Sequence, residues 1–146
     1  MGNVRVIDVH QSVYAVNDEI AAKTRARLKE EKTFMVNLMS SPGAGKTTTL
    51  IRTANMLGDR YRIGVMEADI DSDVDALTVA KAGVPAVQLH TGGMCHLDAD
   101  MSRQGMAALE AEADNKLDFI ILENVGNLAV SYTHLRAHET LMNLVC

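Results

Sequence analysis

Two rhythms of apolar and polar positions run along this chain. Across residues 11–31, apolar side chains fall at Val13, Val16, Ile20, Ala21 and Leu28, the spacing of a single helix face. Lys23, Arg25, Arg27, Lys29 and Glu30 surround that stripe. The pattern predicts an amphipathic helix that packs on the domain behind it or, as the alternative, receives a partner. The rhythm then changes. Phe34-Met35-Val36-Asn37-Leu38-Met39 is a short apolar run ended by Ser40-Ser41-Pro42-Gly43, which predicts a buried strand and a turn. Thr47, Leu50, Ile51, Ala54 and Leu57 share the next helix face, with Gly58 as its stop. Residues 62–66 predict a second strand. Ser72 opens a short helix through Ala76, Leu77 and Ala80, closed by Gly83 with Pro85 beyond it. A third strand over 86–89, a helix over about 97–112 and a fourth strand over 117–122 complete the series. Strands that alternate with helices build a parallel sheet covered on its faces, so the expected class is α/β.

Composition agrees with a single folded domain. The chain has 146 residues, 47% hydrophobic and 23% charged, within the range of globular proteins. A net charge of -5, without a basic run or basic helix face, speaks against a nucleic-acid or anionic-membrane partner. Asp8, Asp18 and Glu19 interrupt any leader-like apolar core, and no apolar run reaches the roughly 20 residues that span a bilayer. Two distant cysteines suit a reducing compartment better than a disulfide framework, so the expected location is the cytoplasm.

The turn after the first strand carries chemistry. Ser40-Ser41-Pro42-Gly43-Ala44-Gly45-Lys46-Thr47 fits the Walker A pattern, except that Ser40 stands at the usual first glycine. Small residues let successive backbone N–H groups turn inward toward phosphates, and the following helix adds the positive end of its dipole. On this reading Gly43, Ala44, Gly45, Lys46, Thr47 and Thr48 cradle a nucleoside triphosphate. Lys46 reaches the β- and γ-phosphates, and the Thr47 hydroxyl coordinates Mg²⁺. A plain Gly/Ser turn with an exposed lysine is the bland alternative, and the flanking strand and helix argue against it.

Acidic residues stand where such a site needs them. Asp69 follows the second strand, at the carboxyl edge of the sheet, where it can reach Mg²⁺ directly or through water. Asp75 is either part of the catalytic region or the far half of a capping box begun by Ser72. Glu123-Asn124-Val125-Gly126 resembles the Asp-x-x-Gly element that senses a γ-phosphate, with Glu123 in place of aspartate and Gly126 matching the glycine. Cys95-His96, in a loop before a helix, offers a thiolate and an imidazole to Zn²⁺ or Ni²⁺. Two ligands do not complete a tetrahedral site. The others come from elsewhere in the chain or from a second copy across a two-fold axis, and an isolated Cys-His pair is most often incidental.

Taken together, Ser-Ser-Pro-Gly-Ala-Gly-Lys-Thr-Thr, Glu67-x-Asp69, Asp75-Ala76, Thr91-Gly92-x-x-Cys95-His96-Leu97-Asp98-Ala99 and Glu123-Asn124-Val125-Gly126-Asn127-Leu128 resemble the hydrogenase nickel-incorporation GTPases of the HypB family. The likeness runs from about Asn17 to Leu128, with Ala68 at a position where the family usually has glycine. It implies a P-loop NTPase of the SIMIBI-type G domain, here only its N-terminal portion, that hydrolyses GTP as a nickel metallochaperone. It also implies a GTP-dependent homodimer, which serves the hydrogenase large subunit alongside other maturation proteins. Asp69 and Asp75 would then belong to the switch and catalytic region with Lys46, while Cys95 and His96 would hold Ni²⁺ or Zn²⁺ at the dimer interface. The rivals are a sister metallochaperone GTPase of the urease or cobalamin-enzyme type, a P-loop kinase or ATPase, and a metal-storing module. The urease type would carry Cys-Pro-His in place of Cys95-His96.

The likeness stops after Leu128. Val130 stands where the family has a further metal-binding cysteine, and the guanine-reading Asn-Lys-x-Asp element does not occur. The stretch 129–146 resembles a translated sequencing adapter and is expected to be a non-native tail. Its His134 and His138, at i, i+4 spacing, and its Cys146 then carry no metal site. The expected organisation is an N-terminal amphipathic helix over 1–32, a partial P-loop GTPase domain over 33–128, and the tail.

Overall fold

The computed structural model describes residues 4–9, 14–38, 43–68, 73–90, 97–114 and 116–123. Its elements in chain order are β1 (Arg5–Asp8), α1 (Tyr14–Glu31), β2 (Phe34–Leu38), α2 (Lys46–Leu57), β3 (Ile63–Glu67), α3 (Asp73–Lys81), β4 (Ala86–His90), α4 (Ala99–Ala113) and β5 (Phe119–Glu123). The strands form one sheet in the order β1-β4-β3-β5-β2, with every pairing parallel. The strand β1 is additional to the expected set. It is four residues long and, among the described residues, pairs only with β4, so its pattern is too short to stand out.

Alternation along the strands assigns the two faces. Met66, Val87, Leu89, Ile120 and Leu122 pack with Leu28 of α1 and with Met101, Met106 and Leu109 of α4. Ile63, Val65, Ala86 and Ile121 face the other way, onto Leu50 and Ala54 of α2 and Val79 of α3. The central strands are therefore apolar on both sides, as buried parallel strands must be. Leu77, one of the apolar positions expected along α3, is exposed, and Val79 takes the core position instead.

Local chemistry sets the element ends. The helix α1 closes with Lys32 at φ 56°, while Thr33 N–H donates to the Leu28 carbonyl and Lys32 N–H to that of Lys29. Those two bonds satisfy two of the last four carbonyls of the helix. Thr33 then ties the chain to the start of β5 through its hydroxyl, 2.8 Å from the Leu117 carbonyl. The starts of β3 and β5 are joined by Asp118, whose carboxylate accepts the Arg62 N–H at 2.8 Å. That backbone hydrogen bond, foremost among its surroundings, holds the Asp118 carboxyl below the usual aspartate range.

Close approach of α4 to the sheet depends on a glycine. A Cβ on Gly105 would lie 2.9 Å from both Leu89 Cδ2 and Met66 Sδ, two buried side chains. Gly105→Val is expected to destabilise the fold by about 2 kcal/mol through overpacking, more than the helix-propensity gain over glycine offsets. Thermal melts followed by circular dichroism check it. A variant melting within a degree of the parent would mean that α4 can lift without cost.

Candidate functional site: a phosphate loop with buried carboxylates

The chain leaves β2 at Leu38 and re-enters regular structure at α2. Between them Gly43 and Gly45 adopt φ of +76° and +85°, a region that costs other L-residues roughly 1–2 kcal/mol. A Cβ at either position would meet nothing within 4 Å, so backbone conformation and not crowding selects glycine here. Gly45 is the N-cap of α2 and brings no side-chain cap. The first helical hydrogen bond runs from Thr49 N–H to the Gly45 carbonyl at 2.9 Å, which leaves the N–H groups of Lys46, Thr47 and Thr48 without intrahelical acceptors. An uncapped helix start beside open space is suited to an anion.

Lys46 begins α2 and folds back over the carboxyl end of the sheet. Its side chain is only 7% exposed, and its Nζ lies 3.9 Å from Glu123 Oε1, whose side chain is 2% exposed. Glu123, expected just after the fourth strand, is the last residue of β5 and is paired with Leu38 on one side and Glu67 on the other. Register continues the row to Gln88 of β4. Residues paired in a parallel sheet share a face, and alternation from Ile63, Ala86 and Ile121 puts Glu67, Gln88 and Glu123 on the side of α2 and α3. All three are buried. One buried lysine therefore sits against a sheet edge that carries two buried glutamates. Glu67 is a functional candidate that the motif pattern alone does not single out. The available signal was a lone carboxylate ending the otherwise apolar run Ile63-Gly64-Val65-Met66.

The structure thus brings Gly43, Ala44, Gly45, Lys46, Thr47 and Thr48 to one end of the sheet with Glu123. Thr47 is half-buried, whereas Ala44 and Thr48 are exposed. The Ala68 N–H donates to the Glu123 carbonyl at 2.9 Å, so the β3–β5 ladder runs to the residue just before Asp69. Asp75 lies in the first turn of α3, beside α2 on the same face. Ser40, Ser41, Pro42, Asp69, Cys95, His96 and Gly126 lie outside the described residues, as does all of 129–146. Among the described residues, no group of three or more His, Cys, Asp or Glu side chains could hold a metal ion, and no helix is long and apolar enough to cross a membrane. The set at the sheet edge fits a magnesium-bound triphosphate: the N–H groups of the first turn of α2 and a lysine for phosphate, a threonine hydroxyl and carboxylates for a hard cation.

A parallel sheet with such a loop between its strand and helix defines a P-loop nucleotide-binding protein. Over residues 34–144 the chain matches the family described as CobW/HypB/UreG, nucleotide-binding domain, and it belongs to that family. Within the family the similarity is to HypB. The hydrogenase maturation factor HypB of Azotobacter vinelandii is 44% identical over 124 residues, 85% of this chain and 40% of that protein. HypB of Escherichia coli K12 is 41% identical over 128 residues, 88% of this chain and 43% of that protein. The chain thus spans well under half the length of either relative. Among solved structures, HypB from Helicobacter pylori in complex with nickel superposes with a TM-score of 0.68 at 42% identity, over 77% of this chain and 52% of that one. HypB from Archaeoglobus fulgidus gives 0.66 at 38% identity, over 78% and 54%. The family match begins at residue 34, beyond α1, and takes in residues 129–144, part of the stretch expected to be non-native.

Proposed function

We propose that this chain is the nucleotide- and metal-handling part of a GTP-hydrolysing nickel metallochaperone. It acts in the cytoplasm as a GTP-dependent homodimer that delivers metal to the hydrogenase large subunit together with other maturation proteins. The observation that carries the nucleotide half is the uncapped start of α2 with Lys46 folded against Glu123. The metal half is supported by the Cys95-His96 pair and by similarity to a HypB solved in complex with nickel.

The residues divide the work by charge. The N–H groups of the first turn of α2 bind and orient the phosphates, and Lys46 exchanges its carboxylate partner for phosphate oxygens. Glu123 is thereby released at the point where the γ-phosphate and the attacking water must be aligned. Thr47 and Asp69 would hold a magnesium ion, which would supply positive charge to a polyanion beside buried carboxylates. Asp69 and Asp75 sit in the switch and catalytic region, and loss of the γ-phosphate lets the dimer relax and pass on its metal. No covalent step on the protein is needed, because positioning and charge neutralisation carry phosphoryl transfer.

The test is magnesium-dependent turnover of GTP against ATP, compared between the parent and Glu123→Gln. Without the guanine-reading Asn-Lys-x-Asp element, the chain should turn over GTP with little preference over ATP. The amide keeps the size of the side chain and removes its charge, so nucleotide still binds while turnover falls on the order of 100-fold. Equal turnover in the two proteins removes Glu123 from the reaction, and turnover of ATP alone points to a kinase or ATPase instead.

A further inference from the structure

Among the described residues, the buried charged side chains are Lys46, Glu67 and Glu123. All of them stand at the carboxyl edge of the sheet. Lys46 Nζ lies 3.9 Å from Glu123 Oε1. Glu67 is fully buried, is the register partner of Glu123 in the adjacent strand, and shares its face of the sheet. Adjacent strands lie about 4.8 Å apart, so the two carboxylates are close neighbours. On the other side Glu67 is paired with Gln88, which is buried and neutral and offsets none of its charge. The ladder holds Glu67 in this place: β3 pairs with β5 from Ile63 through Glu67, and the Ala68 N–H extends the pairing to the Glu123 carbonyl at 2.9 Å. The edge beneath the phosphate loop thus buries one cation for two carboxylates.

An incoming nucleotide worsens that balance, because its phosphates draw on Lys46 and bring negative charge of their own. Charges held away from water are poorly screened, so Glu67 acts on a polyanion at the start of α2 without touching it. A bound divalent cation removes much of the charge of a triphosphate. We propose that Glu67 is a specificity-determining residue: its buried charge makes the phosphate loop reject metal-free nucleotide and accept the magnesium-bound form. The inference rests on the phosphate-loop reading above and extends it to a residue outside both the loop and the element that begins at Glu123.

Affinity for a fluorescent GTP analogue, titrated in excess magnesium and again in EDTA, tests it on the full chain. The parent should bind far more weakly in EDTA. Glu67→Gln, equal in size and uncharged, should tighten binding in EDTA on the order of 10-fold and leave binding in magnesium within about threefold of the parent. Glu67→Asp keeps the charge and should keep the magnesium dependence of the parent. Glu30→Gln removes a charge from the exposed face of α1 and should shift neither affinity. If Glu67→Gln does not fold, Glu67→Met, uncharged and close in size, replaces it with the same expected shift. A parent that binds equally in EDTA and magnesium overturns the inference. So does a neutral variant that is parent-like in EDTA or weakened alike in both conditions, the second being the mark of a merely structural residue. The same shift in Glu67→Asp or Glu30→Gln also overturns it, since size or net charge would then be the cause. Undiminished binding by Lys46→Ala overturns the phosphate-loop reading instead, and so identifies which of the two has failed.

Discussion

Lys46→Ala is expected to abolish triphosphate binding, with affinity lower by at least about 100-fold. Two effects add. The phosphates lose a charge-assisted hydrogen bond, which contributes roughly 1.5–3 kcal/mol. Glu123, only 2% exposed and 3.9 Å from the lysine, loses its cationic neighbour and presents negative charge to an incoming polyanion. Each 1.4 kcal/mol is a factor of ten, so the first effect alone approaches the stated loss. The second predicts a signature. Glu123→Gln in the Lys46→Ala background should recover part of any lost thermal stability, because the buried charge is gone, without recovering nucleotide binding. Titration with a fluorescent GTP analogue and melts of the single and double variants check both statements. Unchanged affinity in Lys46→Ala would mean that the loop before α2 is not a phosphate cradle.

Replacing Cys95 and His96 together with alanine should remove nickel or zinc binding altogether, a loss on the order of 1,000-fold or more for a site that retains none of the pair. Each chain brings two ligands, so the parent should bind one metal per dimer, and binding should strengthen when a GTP analogue promotes the dimer. Both ligands hold metal in their deprotonated forms, and affinity should therefore fall as the pH drops. Equilibrium dialysis at several pH values, with the oligomer resolved by light scattering, supplies stoichiometry and pH dependence together. A full-strength site on a monomer, or one that survives the double substitution, rules out a shared Cys-His centre.

Much of this protein is written locally. The apolar run 34–38, the small residues of the loop and the stripe Leu50, Ala54 and Leu57 announce a strand, a phosphate turn and a helix. Each is a property of neighbours a few residues apart. The glycines at 43 and 45 were legible for the same reason, because a positive φ is a demand on one residue. The α/β class followed from the alternation of such segments. Other features depended on distant partners. Arg5-Val6-Ile7-Asp8 has no pattern of its own, and Val6 is 55% exposed; the segment becomes a strand because β4 offers it a free edge. Along α1 the spacing predicted a continuous apolar stripe, yet Leu28 is buried and Val16 is 45% exposed. Leu28 is buried in the core it shares with Met101, Met106 and Leu109 of α4.

The site divides along the same line. Sequence by itself determined the Walker A pattern, the residues that carry it, and that a Cys-His pair precedes a helix, since a motif resides in consecutive residues. Only the tertiary structure decided that Glu67 and Glu123, 56 positions apart, end on one row of the sheet, that Lys46 folds onto Glu123, and that the Asn17 side chain accepts the Ala99 N–H at the start of α4. Strand register and cross-helix caps come from the simultaneous packing of both faces of the sheet. A one-residue slip would carry a buried glutamate to the opposite face, and no local pattern of side chains encodes which register that packing selects.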